Sequence, residues 1–321
     1  MKLNDIENLF SHFLRRHCDS SSLLLGLSGG PDSMALFHLL IAHKREFQVA
    51  HVDHRWRPES GEEARYLAAL CEKYAIPFHL QELSAEKGRS NLEERGRRQR
   101  LAFFREICKK HQLQGVMLAH HADDQAETVL KRVFEGASLP KLKGLKAKSF
   151  VEGIFLLRPF LHTSKKEILF WLDRHNISYF QDPTNNDPRF LRGRCRTELF
   201  PILTKSFGKT ISTSLCRLGK QAEELEEFLI FFLEPYRRAK IAHEEGVTLD
   251  LTPQWPEMPF LWKAILRDLF DQEGMCLSHS TLESVISHLQ KRSKNKELRI
   301  GKSKVILNQG VIHIKKEKYS K

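Results

Sequence analysis

The chain has 321 residues, of which 41% are hydrophobic and 29% are charged. This mixture supports a buried core and excludes a disordered chain, and the length favours two domains. The formal net charge is +12, and residues 291–321 contribute much of it, with eleven lysines and arginines against two glutamates. The charge fits a polyphosphate partner such as nucleic acid, and a solvated basic tail explains it equally well.

The six cysteines and the N-terminal segment exclude further classes of protein. No two cysteines have the CxxC spacing, so neither a redox pair nor a zinc or iron–sulfur ligand set is indicated. Residues 1–16 place apolar side chains on one helical stripe but carry charges throughout, unlike a signal peptide. No apolar run approaches the length of a transmembrane helix. We therefore expect a cytoplasmic protein without a membrane partner.

The first half of the chain alternates short apolar runs with amphipathic stretches. Strands are predicted at residues 22–27, 47–53, 77–83, 115–119 and 154–157. Helices are predicted at 33–43 and 124–134, and others open with the capping-box spacing at Ser60, Ser90 and Ser164. This alternation predicts an α/β fold, a doubly wound and mostly parallel sheet with helices on both faces. Ligands of such sheets bind beyond the carboxyl ends of the strands, where the strand order reverses.

The pattern changes after about residue 210. One long helix is predicted at 210–233, further helices at 260–272 and 280–291, and short β segments at 297–314. We therefore predict an N-terminal domain at 1–210 and a smaller, mainly helical, basic C-terminal domain at 211–321.

A glycine-rich loop joins the first predicted strand to the first predicted helix. It consists of Ser28, Gly29, Gly30, Pro31, Asp32 and Ser33. Paired glycines let the backbone approach a phosphate closely, and the helix beyond them presents free N–H groups to the anion. The serine hydroxyls add donors, and Asp32 is placed to bind Mg²⁺. A plain strand-to-helix turn would use the same residue types, and the loop lacks the Walker lysine.

The loop sequence Ser-Gly-Gly-x-Asp-Ser resembles that of the PP-loop ATP pyrophosphatases. Five further stretches resemble the lysidine synthetases of that superfamily, in order and at similar spacing. They lie at residues 51–55, 91–100, 120–128, 158–161 and 182–185 with 190–196. The resemblance implies an ATP-binding catalytic domain that cleaves ATP between its α- and β-phosphates and forms an adenylated intermediate.

Polar residues follow the first, second and fourth predicted strands, so they can all line one crevice at the carboxyl ends of these strands. Beyond the loop they are His51, Asp53, His54, His120, His121, Asp123 and Asp124. They are compatible with a transition metal, but Mg²⁺ is favoured because it uses few carboxylates plus phosphate oxygens and water. We assign Asp32 and Asp123 to the metal, and His51, Asp53 and His120 to ATP with the loop. Arg97 and Arg100, three apart on a helix, would face ATP phosphates, RNA or only solvent.

Asp124 and Glu127 are three residues apart on a predicted helix, so both lie on one face and can grip an ammonium together. The resemblance implies that they bind the incoming lysine with Arg192, and that one of them accepts the proton of the amine. With Asp32, these residues form the predicted catalytic set. The sequence departs from the family at Gly193, where asparagine is usual, so one amide side chain near the substrate is missing.

The resemblance implies a ligase that forms a carbon–nitrogen bond. ATP would adenylate C2 of the wobble cytidine in the CAU anticodon of tRNA(Ile), and free L-lysine would displace AMP to give lysidine, changing codon recognition from AUG to AUA. The basic C-terminal domain would hold the tRNA. Two alternatives stay open: a tRNA thiolase of the same superfamily, and a non-catalytic, nucleotide-dependent RNA-binding protein. The oligomeric state is also open, with a homodimer as one alternative.

Overall fold

The computed structural model describes residues 6–53, 55, 60–83, 92–181, 191–301 and 303–316. Three sequence features lie outside these described residues: His54, the helix cap at Ser90 and the stretch 182–185. The chain divides into two compact units, Met1–Glu223 and Glu224–Lys321. The division falls inside a long helix, Ile211–Phe232, so the first turns of that helix belong to the first unit.

The first unit contains one sheet with helices around it. Its described strands are β1 (Leu23–Gly26), β2 (Phe47–Asp53), β3 (Phe78–Glu82), β4 (Val116–Met117), β5 (Lys148–Val151) and β6 (Ile154–Leu157). Its described α-helices are α1 (Ile6–His17), α2 (Pro31–Ala42), α3 (Ser60–Lys73), α4 (Leu92–Lys110), α5 (Ala122–Phe134), α6 (Lys165–Arg174), α7 (Leu191–Arg194), α8 (Phe200–Phe207) and α9 (Ile211–Phe232). A 3₁₀ turn lies at Leu139–Lys143, and a π-helical turn at Cys195–Leu199 connects α7 to α8.

The strand order of this sheet is β3-β2-β1-β4-β6-β5. All pairs are parallel except β5 with β6, which confirms the predicted doubly wound, mostly parallel sheet. The antiparallel edge strand β5 was not predicted. The order reverses between β1 and β4, so the crevice expected at such a reversal lies beyond their carboxyl ends.

Both faces of the sheet are covered, as continuous apolar strands require. Leu23 and Leu25 of β1 are fully buried in the core that α1, α2 and α6 help to build. Leu24, between them, points to the opposite face and packs with Phe104 of α4. Because β1 is held from both sides, the loop that leaves its carboxyl end starts from a rigid position.

The second unit contains more β-structure than predicted. Its described elements are the end of α9, α10 (Glu234–Arg238), α11 (Pro259–Gln272), α12 (His279–Gln290), β7 (Lys240–His243), β8 (Gly246–Asp250), β9 (Lys296–Ile300), β10 (Ser303–Asn308) and β11 (Val311–Lys316). The strands form an antiparallel sheet in the order β7-β8-β11-β10-β9. Its core includes Trp262, Val305 and Ile314, all nearly inaccessible. No helix in the described part of the chain is long and apolar enough to cross a membrane.

Candidate active site

The glycine-rich loop takes a backbone shape that depends on Gly29. Its φ is +82°, and a Cβ at this position would lie 2.8 Å from Cδ2 of Phe180. The Gly29 carbonyl accepts a 2.9 Å hydrogen bond from the Phe180 N–H. A larger residue would meet both backbone strain and a ring, so glycine is required here.

Helix α2 begins directly after this loop, with Gly30 at its N-cap and Pro31 in its first turn. Proline fits there because its missing N–H would have no partner inside the helix. No side chain caps the helix within the described chain. The positive end of α2 is thus left to an external anion, as a phosphate-binding loop requires.

The two serines of the loop hold each other. The Ser28 N–H donates to Ser33 Oγ over 3.2 Å, and the two hydroxyl oxygens lie 3.1 Å apart. Ser33 Oγ also donates to the Gly30 carbonyl over 3.0 Å. Ser33 is buried and closes the loop, whereas Ser28 is exposed.

His121 brings three aspartates together at the start of α5. It caps that helix: the Asp123 N–H donates to Nδ1 over 3.2 Å, and Asp124 Oδ2 accepts the His121 N–H over 3.0 Å. With Nδ1 acting as an acceptor, Nε2 is the donor side of the ring. It lies 3.7 Å from Asp32 Oδ2 and 3.6 Å from Asp124 Oδ2. One buried imidazole therefore links the phosphate loop to α5.

Asp32 and Asp123, the residues predicted for the metal, both contact Lys165. Its Nζ lies 2.7 and 2.6 Å from the two Asp32 carboxylate oxygens, and its backbone N–H donates to Asp123 Oδ2 over 3.0 Å. No cluster of three or more His, Cys, Asp or Glu suited to a metal occurs among the described residues. Two neighbouring carboxylates without a third ligand fit Mg²⁺ carried by a nucleotide, which brings phosphate oxygens and water.

Asp124 and Glu127, the predicted ammonium ligands, are buried and share one arginine. Arg196 Nη2 lies 2.8 Å from Asp124 Oδ1 and 3.2 Å from Glu127 Oε2, and Arg196 Nε bonds Glu127 Oε1. Arg192, which the resemblance assigns to lysine binding with them, is half exposed, and its Nε lies 4.0 Å from Glu127 Oε2. Arg196 follows Arg192 by one helical turn, and this spacing is the signal that could have pointed to it.

The two carboxylates differ in acidity. Burial raises the pKa of Glu127 above its usual value, although the hydrogen bond and charge of Arg196 oppose this shift. Burial also opposes ionisation of Asp124, but the electrostatic effect of the neighbouring His121 and His120, the hydrogen bond from the His121 N–H and the charge of Arg196 outweigh it and lower the Asp124 pKa. Glu127 is therefore the better proton acceptor of the two, and Asp124 stays ionised more readily.

His51 and Asp53, at the end of β2, support the loops around the crevice. His51 is buried, its Nδ1 lies 2.8 Å from the Leu27 carbonyl, and its ring stacks on Phe78. The carboxylate of Asp53 accepts the Arg55 N–H over 2.8 Å. The structure thus brings His51 to the base of the phosphate loop, where it fixes the direction in which that loop leaves β1.

His120 lies where positive charge accumulates. Burial lowers the His120 pKa to about 3 against the opposing charge of Asp124, and the charges of Arg158, Arg192 and Arg100 add to the lowering. Its Nδ1 is buried without a hydrogen-bond partner among the described residues. Burial and the charge of Arg97 lower the pKa of Arg158 to about 10. The predicted Arg97 and Arg100 thus belong to one electropositive region beside the uncharged His120, and Arg158 is a further member that the sequence did not indicate.

Comparison with known proteins agrees with this geometry. A sequence profile of the PP-loop domain matches residues 3–203, nearly the whole first unit. A protein of Chlamydia pneumoniae named tRNA(Ile)-lysidine synthase is 41% identical over 292 residues, which cover 91% of this chain and 91% of the relative. This chain belongs to the tRNA(Ile)-lysidine synthase family.

Other members and a solved structure extend the comparison. The tRNA(Ile)-lysidine synthase of Protochlamydia amoebophila is 37% identical over 323 residues, covering 99% of this chain and 70% of that protein. The U34-tRNA thiolase NcsA from Methanococcus maripaludis superposes with a TM-score of 0.56 at 17% identity, covering 69% of this chain and 80% of that one. The second likeness establishes the shared fold, while family membership rests on the sequence matches. The family is one of PP-loop, ATP-using ligases that modify tRNA.

Proposed function

We propose that this chain adenylates C2 of the wobble cytidine in the CAU anticodon of tRNA(Ile) and then replaces AMP with the ε-amine of free L-lysine. The observation that carries the proposal is the buried pair Asp124 and Glu127, bound by Arg196 and linked through His121 to Asp32 of the phosphate loop. This arrangement supports an amine-binding site beside a nucleotide site. We expect the reaction in the cytoplasm, where ATP, free lysine and tRNA occur together.

The nucleotide site consists of the glycine-rich loop and the start of α2. The exposed Ser28 hydroxyl and the N-terminal end of α2 suit the phosphates of ATP. Asp32 and Asp123 would hold Mg²⁺, which, when bound, neutralises phosphate charge during transfer. In the first step the cytidine O2 attacks the α-phosphorus, and the bond from that phosphorus to the bridging oxygen breaks. Pyrophosphate then leaves, and AMP stays attached to the base through O2.

The lysine site consists of Asp124, Glu127 and the two arginines near them. Carboxylates suit the ε-amine of lysine, and the half-exposed Arg192 suits its carboxylate, since guanidinium binds carboxylates through two parallel bonds. In the second step the amine nitrogen attacks C2 and the C2–O bond to AMP breaks. Glu127 accepts the proton that the amine loses, because its raised pKa makes it the stronger base.

The RNA would enter over the electropositive region. Arg97 and Arg100 can neutralise backbone phosphates next to a base that is turned into the crevice, as recognition of single-stranded RNA usually requires. Arg158 is buried and donates to the Lys146 carbonyl and to Ser149 Oγ, so it contributes charge from beneath the surface. His120, held neutral by its lowered pKa, offers an uncharged hydrogen-bonding ring to a nucleobase. The basic second unit would bind the tRNA body.

The cysteines favour lysine transfer over the thiolase alternative. Burial raises the pKa of Cys71 to about 12 and those of Cys108 and Cys216 to about 11, so none of these three is a ready sulfur nucleophile. The chain also lacks a CxxC pair. A thiolase needs a sulfur donor, and neither these three thiols nor a CxxC pair would carry one.

The test is which substrate drives AMP release. With ATP and tRNA(Ile), we expect free lysine to release AMP and pyrophosphate together, and a sulfur donor to release none. A transcript with uridine at the wobble position should give neither product. ATP binding without pyrophosphate formation, unchanged in Asp32→Ala, would instead favour the non-catalytic RNA-binding protein.

A further inference from the structure

Phe180 lies directly against Gly29, the first glycine of the glycine-rich loop. Its N–H donates to the Gly29 carbonyl over 2.9 Å. Its ring fills the space that a side chain at position 29 would need, with Cδ2 only 2.8 Å from the place of a Cβ, and Leu67 of α3 lies 3.4 Å from the same place. Phe180 therefore contacts the loop through its backbone and its side chain together.

The position of Phe180 is itself fixed by its neighbours. The centroid of its ring lies 5.2 Å from that of Tyr66 on α3, and the two rings meet edge to face at 79°, a geometry that aromatic pairs favour. The ring also packs against the core that contains Leu67. The segment that leads to it is joined to α6, because the Ile177 N–H donates to the Leu172 carbonyl over 3.0 Å. The Phe180 N–H thus has a defined place before any nucleotide binds.

The bond to the Gly29 carbonyl sets the direction of the next N–H along the chain. In a trans peptide unit, the carbonyl of one residue and the N–H of the following residue point in opposite directions. The Gly29–Gly30 peptide bond is trans, so a Gly29 carbonyl that faces Phe180 turns the Gly30 N–H away from Phe180. Gly30 is the N-cap of α2, and its N–H makes no hydrogen bond within the described part of the chain. Such a donor at the positive end of a helix suits a phosphate oxygen.

We propose that Phe180 is a positioning residue for ATP, which orients the Gly29–Gly30 peptide so that the Gly30 N–H meets a phosphate oxygen. This inference rests on the proposed function. Two consecutive glycines have many backbone conformations open to them, so the loop sequence alone does not hold this peptide in one direction. A rotated peptide would turn the Gly29 carbonyl oxygen, with its partial negative charge, toward the phosphate. Phe180 acts through Gly29 and touches no substrate itself.

The rival explanation is that Phe180 only contributes to the core beside α3. Under that explanation, removal of the ring lowers the melting temperature and leaves the nucleotide affinity of the folded protein unchanged. Tyr179→Ala is the matched control, because Tyr179 is the preceding aromatic residue and packs against the same core.

The first experiment is calorimetric titration with Mg²⁺ and α,β-methylene-ATP, which cannot be cleaved between its α- and β-phosphates. We expect Phe180→Ala to bind this analogue about tenfold more weakly than the wild type, and Tyr179→Ala to stay within about twofold of it. In pyrophosphate formation with ATP and tRNA, Phe180→Ala should raise the KM for ATP by a similar factor and leave kcat near the wild-type value. Equal analogue affinity in Phe180→Ala and the wild type would overturn the proposal.

The second experiment removes the backbone donor and keeps the ring. Incorporation of phenyllactic acid at position 180 replaces the Phe180 N–H by an ester oxygen, so the Gly29 carbonyl loses its partner while the core stays filled. The analogue should bind about five- to tenfold more weakly to this ester variant. Unchanged affinity would show that the N–H does not orient the peptide.

A double-mutant cycle tests the contact between the ring and the loop. Gly29→Ala places a methyl group against the ring in the wild type, whereas in Phe180→Ala that ring is gone. The loss of analogue affinity caused by Gly29→Ala should therefore be at least about threefold smaller in the Phe180→Ala background. An equal loss in both backgrounds would contradict the contact.

Failure of the proposed function looks different from failure of this inference. A wild type that binds the analogue but forms no lysine-modified tRNA would refute the proposed function, and the affinities would still decide the role of Phe180. A wild type that does not bind the analogue would contradict both.

Discussion

Arg196 donates to Glu127 through both Nε and Nη2, so the most buried carboxylate of the crevice is held by a bidentate ion pair. Only 2% of the Glu127 side chain is exposed, against 30% for Arg196. Removing a partner from such a pair leaves a buried charge uncompensated. The pair therefore sets both the position and the basicity of the group to which we assign the lysine proton.

Glu127→Gln tests that assignment most simply. Glutamine keeps the shape and can accept one of the two hydrogen bonds from Arg196 but cannot accept the proton, so lysine-dependent AMP release should fall about 100-fold or more. Formation of pyrophosphate in a single turnover should change little, because the first step does not use Glu127. Asp124→Ala should likewise lose lysine use more than ATP binding. Equal loss of both in either variant would contradict the lysine-site role.

Arg196→Met should move the acidic limb of the pH–activity profile. The hydrogen bond and charge of Arg196 lower the Glu127 pKa against the effect of burial, so removing them raises it further. Glu127 is active when deprotonated, so activity is lost as pH falls through its pKa. In the variant this loss should begin at higher pH. The measurement is lysine-dependent AMP release between pH 5 and 8 (roughly the range in which a raised carboxyl pKa shows).

Arg192→Met is the matched control for that experiment. Arg192 also lowers the Glu127 pKa, but by the smallest of the effects on that group, and it lies farther away. In Arg192→Met the acidic limb of the pH–activity profile should move in the same direction, but by less than in Arg196→Met. The KM for lysine should rise if Arg192 binds the lysine carboxylate. A limb that moves toward lower pH in Arg196→Met would refute the assignment of Glu127 as the acceptor.

Gly29→Ala should damage the phosphate loop, whereas Gly30→Ala should not. The alanine Cβ at position 29 meets φ +82° and the Phe180 ring at 2.8 Å, and such strain costs about 1–3 kcal/mol. At position 30 the nearest atom is Ser28 Oγ at 3.6 Å, an ordinary contact. ATP affinity, measured by calorimetry, should drop in the first variant and stay near the wild-type value in the second. Equal affinity in both would show that the loop shape does not govern nucleotide binding.

The sequence predicted the central sheet because its strands are continuous apolar runs bounded by loops. It predicted the phosphate loop because the glycine pair, proline and serines each have a local backbone reason to be there. The edge strand β5 (Lys148–Val151) was not predicted because its sequence, Lys-Ser-Phe-Val, is not a continuous apolar run. The strands β7 and β8 were not predicted because they are short and half exposed, and because β8 pairs with β11, which is distant in the chain.

The partners of the site residues were harder to predict than their identity. Arg192 and Arg196 share the same local pattern, and the turn of the chain at Cys195–Leu199 decides which one contacts Asp124 and Glu127. The pair between Asp32 and Lys165 joins residues 133 positions apart. Contacts of this kind follow from tertiary packing, which sequence periodicity does not encode.

The role of the basic C-terminal residues in tRNA binding is best tested by neutralising their charges. Truncation after residue 290 would remove β9, β10 and β11, which carry buried core residues such as Val305 and Ile314. Lys291, Lys294 and Lys296 are exposed, and their joint substitution by glutamine leaves the core intact. A plot of log affinity for tRNA against log salt concentration has a slope that depends on how many phosphates the protein neutralises. Each lysine that neutralises an RNA phosphate contributes about 0.7–0.9 to that slope, so its substitution should make the slope less steep by that amount. An unchanged slope would mean that these lysines are only solvated.

The most direct measurement is transfer of radiolabelled lysine. Purified protein is incubated with ATP, labelled free lysine and total tRNA, and the RNA is then isolated and counted. We predict that label enters the RNA only when ATP is present, in equal amount to the AMP released, and that Asp32→Ala abolishes it. Pyrophosphate release with no label in the RNA, or labelling that does not need ATP, would contradict the account.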